Sequence, residues 1–145
     1  MQVSSDRRYR FAVGPDELWS ALTRVHDYRA WWPWLRGFDG RAFSEGERWA
    51  CVVRPPLPYS LRFKVELQEV VAPRLVTAIL DGDIVGRARL DIAAAPDGSD
   101  LRLVSQLAPK NAVLRNIARL ARPVARFGHD WVLDAGFRQF EGNAV

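Results

Sequence analysis

Residues 60–70 read Ser-Leu-Arg-Phe-Lys-Val-Glu-Leu-Gln-Glu-Val, with Leu61, Phe63, Val65 and Leu67 on one side and Arg62, Lys64, Glu66 and Gln68 on the other. Successive side chains of an extended chain point to opposite faces, so this stretch predicts a strand with one dry and one wet face. Residues 84–93 repeat the pattern: Ile84, Gly86, Ala88, Leu90 and Ile92 oppose Arg87, Arg89 and Asp91. One-sided solvation belongs to antiparallel sheets, because parallel ones are covered on both faces. Working outward, strands are predicted over 8–13, 38–43, 48–54, 75–80 and 101–107, with turn chemistry at Val71-Ala72-Pro73, Gly82 and Pro96-Asp97-Gly98.

After the first strand, Gly14-Pro15-Asp16 turns the chain into a short helix over 17–24, with Leu18, Trp19, Ala21, Leu22 and Val25 at helical spacing. Asp27 is placed to cap a second short helix through Tyr28, Trp31 and Trp32, which must stop by Pro33. The last predicted element is a long amphipathic helix over 111–141, with Ile117, Leu120, Ala121, Val124, Gly128, Trp131, Val132 and Ala135 in one stripe. Pro123 removes a ladder hydrogen bond, so a kink or break is expected near Arg122. This order leaves no helix as a crossover between parallel strands. The expected architecture is α+β: a curved seven-stranded antiparallel sheet wrapped around a long C-terminal helix, with two short helices after strand one.

Its 145 residues, 48% hydrophobic and 26% charged, fit one globular domain over 1–145. No uncharged run exceeds seven residues, against about twenty for a membrane span. The arginines near the start precede no apolar run, so no secretory signal is read and a cytoplasmic location is expected. Cys51 is the single cysteine, which excludes an internal disulfide and a multi-cysteine metal site. The net charge is +4, from 19 Arg and 2 Lys scattered among acids. No nucleic-acid partner is expected, since useful phosphate contacts need a cluster or stripe. The one stripe, Arg115, Arg119, Arg122 and Arg126, reads first as a solvated helix face and second as a meeting place for anionic lipid or nucleic acid.

Parity places Tyr9, Phe11, Val13, Trp49, Cys51, Val53, Leu61, Phe63, Val65, Gly86, Ala88, Leu90, Leu101, Leu103 and Ser105 on the inner face of the sheet. Gly86, Ala88, Ala121, Gly128 and Ala135 are small enough either to allow close helix-to-sheet contact or to leave a space, and the sequence alone leaves both open.

The opening strand into Pro15-Asp16-Glu17-Leu18-Trp19, the segment Trp31-Trp32-Pro33-Trp34, Gly46-Glu47-Arg48-Trp49, and Arg122-Pro123 through His129-Asp130-Trp131-Val132 together resemble a known pattern. Over essentially its full length the chain resembles the StAR-related lipid transfer and birch-allergen-like superfamily, also called SRPBCC or polyketide cyclase/dehydrase-like proteins, and bacterial members of it in particular. The resemblance implies a helix-grip fold with an apolar cavity between sheet and terminal helix, occupied by lipids, polyketides, hormones or sterols. Some members are enzymes and many only bind and carry.

On that footing the expected function is binding or transport of a small hydrophobic ligand, with no cofactor, by a monomer or dimer. The expected lining is Trp31, Trp32, Trp34, Trp49, Cys51, Phe63, Val65, Ala88, Leu90, Leu103, Ser105, Val124, Gly128 and Trp131. One alternative is a polyketide cyclase/dehydratase-like enzyme using His129, Tyr59 or Asp81, and a second is a protein-interaction module with a vestigial cavity. His26 and His129 lie far apart, and metal-ligand spacings, nucleophile elbows and glycine-rich phosphate loops are missing, so no metal site is read. His129 is a natural general acid or base but reads first as a half-exposed helix histidine, since Asp130 projects about 100° away around the helix axis and is poorly placed to orient it. Asp81 and Asp83 flank Gly82 and read first as turn residues. Trp31, Trp32, Trp34 and Leu35 close one end of the core, wall a cavity, or dip with Arg29 and Arg36 into a membrane surface in transient contact. The rigid loop Pro55-Pro56-Leu57-Pro58-Tyr59 joins two strands, with Tyr59 free to face a pocket rim.

Overall fold

The computed structural model describes residues 2–57, 59–110, 115–116 and 122–144. Its alternating stretches form β1 (Val3–Phe11), β2 (Leu35–Asp39), β3 (Arg48–Val53), β4 (Leu61–Val71), β5 (Leu75–Gly82), β6 (Ile84–Ala95) and β7 (Gly98–Pro109). They make one antiparallel sheet in the order β1-β7-β6-β5-β4-β3-β2, curled into a half-barrel. Hairpin neighbours pair from β2 to β7, and β1 returns to the far edge beside β7. Coiling requires glycine at Gly86 (φ 153°), where an added Cβ would overlap the Gln106 carbonyl oxygen and lie 3.0 Å from Leu107 Cα.

β6 and β7 run two residues past their predicted ends and β7 begins three residues early, at Gly98, but the largest shifts from the sequence reading are in β1 and β2. β1 starts at Val3 because its inward positions include Ser5 and Arg7, whose polarity breaks the apolar alternation; Arg7 is accepted there by an ion pair to Asp130 at 2.9 Å. β2 starts at Leu35, whose buried side chain stands opposite Val53, and it ends at Asp39 because Gly40 turns the chain beneath Phe38 and Trp49.

Helix α1 (Pro15–Leu22) begins on its proline, carries Asp16 and Glu17 in its first turn, and buries Leu18, Trp19 and Ala21. A 3-10 turn (Val25–Asp27) leads into α2 (Tyr28–Trp31). Asp27 precedes α2 as expected but makes no side-chain cap bond, because its backbone already continues the turn in helical geometry. The terminal helix α3 is Arg122–Ala144. Ile117, Leu120 and Ala121, and with them the approach to Pro123 where a kink was expected, lie outside the described residues. On α3, Gly128, Ala135 and Phe140 are buried toward the sheet, whereas Trp131 is only half-buried.

Aromatic rings dock the C-terminal half of α3. Phe140 meets Phe11 and Trp31 edge-on at centroid distances of 5.6 and 5.5 Å, and Phe137 stacks on Tyr9 at 4.3 Å. Trp32 Nε1–H donates to the Gly136 carbonyl (2.9 Å) and Trp34 Nε1–H to Gln139 Oε1 (2.8 Å). The ring network continues through Tyr28 to Phe38 and Trp49, and through Phe43 to Trp19. Truncating Phe140 to Ala should therefore cost about 3–5 kcal/mol in urea unfolding, and Trp32→Phe, which loses one hydrogen bond but keeps a ring, about 1 kcal/mol. An equal effect from the two would contradict this division between packing and hydrogen bonding.

Candidate functional site

Short side chains face the other half of α3. Strand register sets Ser5, Ser105, Ala88 and Ala78 in one row across β1, β7, β6 and β5. Of these, Ser105 and Ala88 stand at the wall of a cavity, and neither is long enough to fill the distance to a helix. The cavity measures about 260 Å³, against the roughly 10–15 Å³ that admits one water. Its sheet wall includes Val3, Val53, Leu61, Phe63, Leu80, Ile84, Leu103 and Leu107; Pro55 and Tyr59 come from the β3–β4 loop, and His129, Val132 and Leu133 join Gly128 from α3. Leu61, Phe63, Leu103 and Leu107 are only half-buried although they face inward, whereas Phe11, Ile92 and Leu101 at the ring-filled end are buried.

Among the described residues, three polar side chains reach this wall, those of Tyr59, Ser105 and His129. Tyr59 can lean against α3 because residue 128 is glycine: an added Cβ would overlap its hydroxyl oxygen and lie 2.9 Å from Leu57 Cδ1. Burial pushes the Tyr59 phenol above its ordinary value, so it enters as a neutral hydroxyl. Burial also pushes the His129 imidazole below its ordinary value, against a weaker upward pull from Asp130. His129 Nδ1 lies 3.3 Å from Asp130 Oδ1, which also receives Arg7 Nη2 at 2.9 Å. Burial would raise the Asp130 carboxyl, but the hydrogen bonds from Arg7 and His129 outweigh it and hold the group below its ordinary value. The angular separation of residues 129 and 130 predicted no contact between them. The inward Arg7 changes this by drawing the carboxylate to β1, where Oδ1 meets Nδ1.

Of the residues read from the sequence as a lining, Phe63, Ala88, Leu103, Ser105 and Gly128 stand at the cavity wall, and so do Tyr59 and His129. Trp31, Trp32, Trp34 and Trp49 do not, because their rings pack with Tyr28, Phe38 and Phe140 at the opposite end. The same packing joins these indoles to one another and to α3, with Leu35 buried beside them. Cys51 is buried, its thiol pushed up to about 12 by that burial, and it is absent from the wall. Val65 and Leu90 pack against the core and Trp131 is half-buried, and none of the three is at the wall. The side chain of Val124 lies outside the described residues. Asp81 is exposed and pairs with Lys110 at 3.4 Å, as suits a strand end beside a turn.

Leu80, Ile84, Leu107 and Pro109 at the wall were missed, though parity alone extends β5, β6 and β7 to them. Val3 and Arg7 had no such signal, because the polar inward positions hid the first half of β1.

No protein-family model and no curated protein sequence matches the chain. Solved structures do. The di-domain ARO/CYC protein BexL of the BE-7585A biosynthetic pathway superposes with a TM-score of 0.77 at 14% identity, over 99% of this chain and 50% of that one. Norcoclaurine synthase from Thalictrum flavum, in complex with dopamine and hydroxybenzaldehyde, gives 0.68 at 11% identity, over 98% of this chain and 86% of its own. The chain therefore shares the fold of these two proteins. Ara h 8.0201 adds a TM-score of 0.64 at 12% identity over 99% of this chain and 98% of that one. Identities this low speak for the fold alone, a half-barrel sheet with a helix laid against it. Among the described residues, no helix is long and apolar enough to cross a membrane.

The imidazole supplies a test of the site's electrostatics. A buried neutral histidine adds stability that is complete above the unfolded-chain value of about 6.5 and is lost as pH falls below it toward the folded value. Between pH 7.5 and 5.5 the urea midpoint of the parent protein should fall more than that of His129→Gln; equal falls would show that His129 is not held neutral.

Proposed function

We propose that this protein binds one small, largely apolar molecule in the cavity between β1, β3–β7 and the N-terminal half of α3. The observation that carries the reading is the wall itself: a row of Ser and Ala residues opens the space, and aliphatic and aromatic carbon surrounds it. Burying about 300 Å² of ligand surface at roughly 25 cal/mol per Å² contributes about 7 kcal/mol, compared with about 8 kcal/mol for a micromolar complex. Ordering the ligand offsets part of that, so micromolar or weaker binding is expected for an unadapted probe. The shared fold of a synthase crystallised with dopamine and hydroxybenzaldehyde supports a small-molecule occupant.

N-phenyl-1-naphthylamine should bind at one site with a rise in fluorescence, and native mass spectrometry should show hydrophobic material leaving the purified protein. Ala88→Leu, which extends a side chain into the space, should weaken the probe at least tenfold while the circular dichroism spectrum stays unchanged. A parent protein that takes up no probe and carries no co-purifying molecule would overturn the reading.

One observation favours a second reading, a cyclase- or dehydratase-like enzyme: His129 and Tyr59 share the cavity wall, an acceptor and a hydroxyl of the kind used in acid–base chemistry. Turnover of a poly-β-ketone thioester that is lost in His129→Gln, with probe binding retained, would move the function from carriage to catalysis. No turnover across a panel of such thioesters would leave carriage.

A further inference from the structure

We infer that the Arg7–Asp130–His129 chain fixes His129 Nε2 as the cavity's proton acceptor, and that the bound molecule is an apolar body presenting a hydroxyl to it. The inference rests on the cavity being the binding site and specifies what the ligand must carry.

The direction of each hydrogen bond follows from charge. Arg7 projects inward from β1 and places Nη2 2.9 Å from Asp130 Oδ1, with Nη1 3.8 Å from Asp134 Oδ1. Asp134 also accepts the Tyr9 hydroxyl at 3.3 Å, and Arg126 stands 4.0 Å from the second oxygen of Asp130. A carboxylate ionised among these donors has no proton to give, so its 3.3 Å contact with His129 Nδ1 requires the hydrogen to reside on Nδ1. A neutral imidazole carries one N–H, and placing it on Nδ1 leaves the lone pair on Nε2. Arg7 and Asp130 act on the ligand only through this imidazole and are positioning residues.

The wall then selects. His129 lines the cavity with its side chain 15% exposed, and Asp130 contacts its Nδ1. An acceptor facing a carbon-lined space gains most from a ligand that supplies a donor, and it penalises one that buries the nitrogen without a partner. Tyr59 and Ser105 are hydroxyls that rotate to suit and impose no such sign. A phenol, enol or alcohol satisfies the imidazole; the corresponding methyl ether, equal in shape and apolar area, does not.

The test compares 1-naphthol with 1-methoxynaphthalene on the full chain by calorimetry. In the parent protein the naphthol should bind at least tenfold tighter. In His129→Phe that ratio should fall to within twofold, with ether affinity held. Nitrogen-15 imidazole spectra of the parent should show Nδ1 protonated and Nε2 bare, and Asp130→Asn should give a mixture of tautomers and a reduced ratio. Equal binding of the two probes by the parent, or a proton on Nε2, would overturn the inference and leave the cavity reading standing. Binding of neither would overturn both.

Discussion

One half of α3 is clamped between rings, and the other half faces residues too short to reach it. Phe137 and Phe140 fill the distance between helix and sheet with aromatic area, while Ser105 and Ala88 leave it unfilled. Interiors pack to crystal-like density wherever side chains allow, and a cavity of about 260 Å³ lies where the facing side chains are too short to do so, beyond the clamped end of the helix. The cavity is thus a by-product of where the bulky residues sit along a single helix, and its shape follows the clamp.

A polar seam joins β1 to α3 alongside that void. Arg126 donates to the Ser4 carbonyl, Arg7 bridges two aspartates, and Tyr9 completes the row through Asp134. Arg7 and Asp130 remain about one-third exposed, at 33% and 31%. Ion pairs at that exposure contribute little to stability, on the order of 0–1 kcal/mol. The value of the seam is orientational: it settles where the edge strand lies and which way the His129 ring presents its nitrogens.

Much of this was legible in the sequence and some was not, for reasons that can be named. The alternation of Leu61, Phe63, Val65 and Leu67 gives β4 and its inner face, and the same parity reaches Ala88, Leu103 and Ser105 at the wall. Parity does not say how far along the half-barrel each residue lies, so Trp49 and Phe63, both inward, ended in different neighbourhoods. The tryptophans of 31–34 attracted a lining role because large rings line pockets, whereas here they plug the opposite end. Arg7 was invisible because an inward arginine opposes the pattern by which strands are recognised, and its partner Asp130 lies 123 positions away in the chain.

The gathering of Trp19, Trp31, Trp32, Trp34 and Trp49 in one ring cluster has an optical consequence. Excitation absorbed by any of them is shared with neighbours about 6 Å away, as between Trp31 and Trp32, so their combined emission registers the integrity of the clamp. A guest at the far end would leave most of that light unaltered, and occupancy must be watched through the guest's own signal.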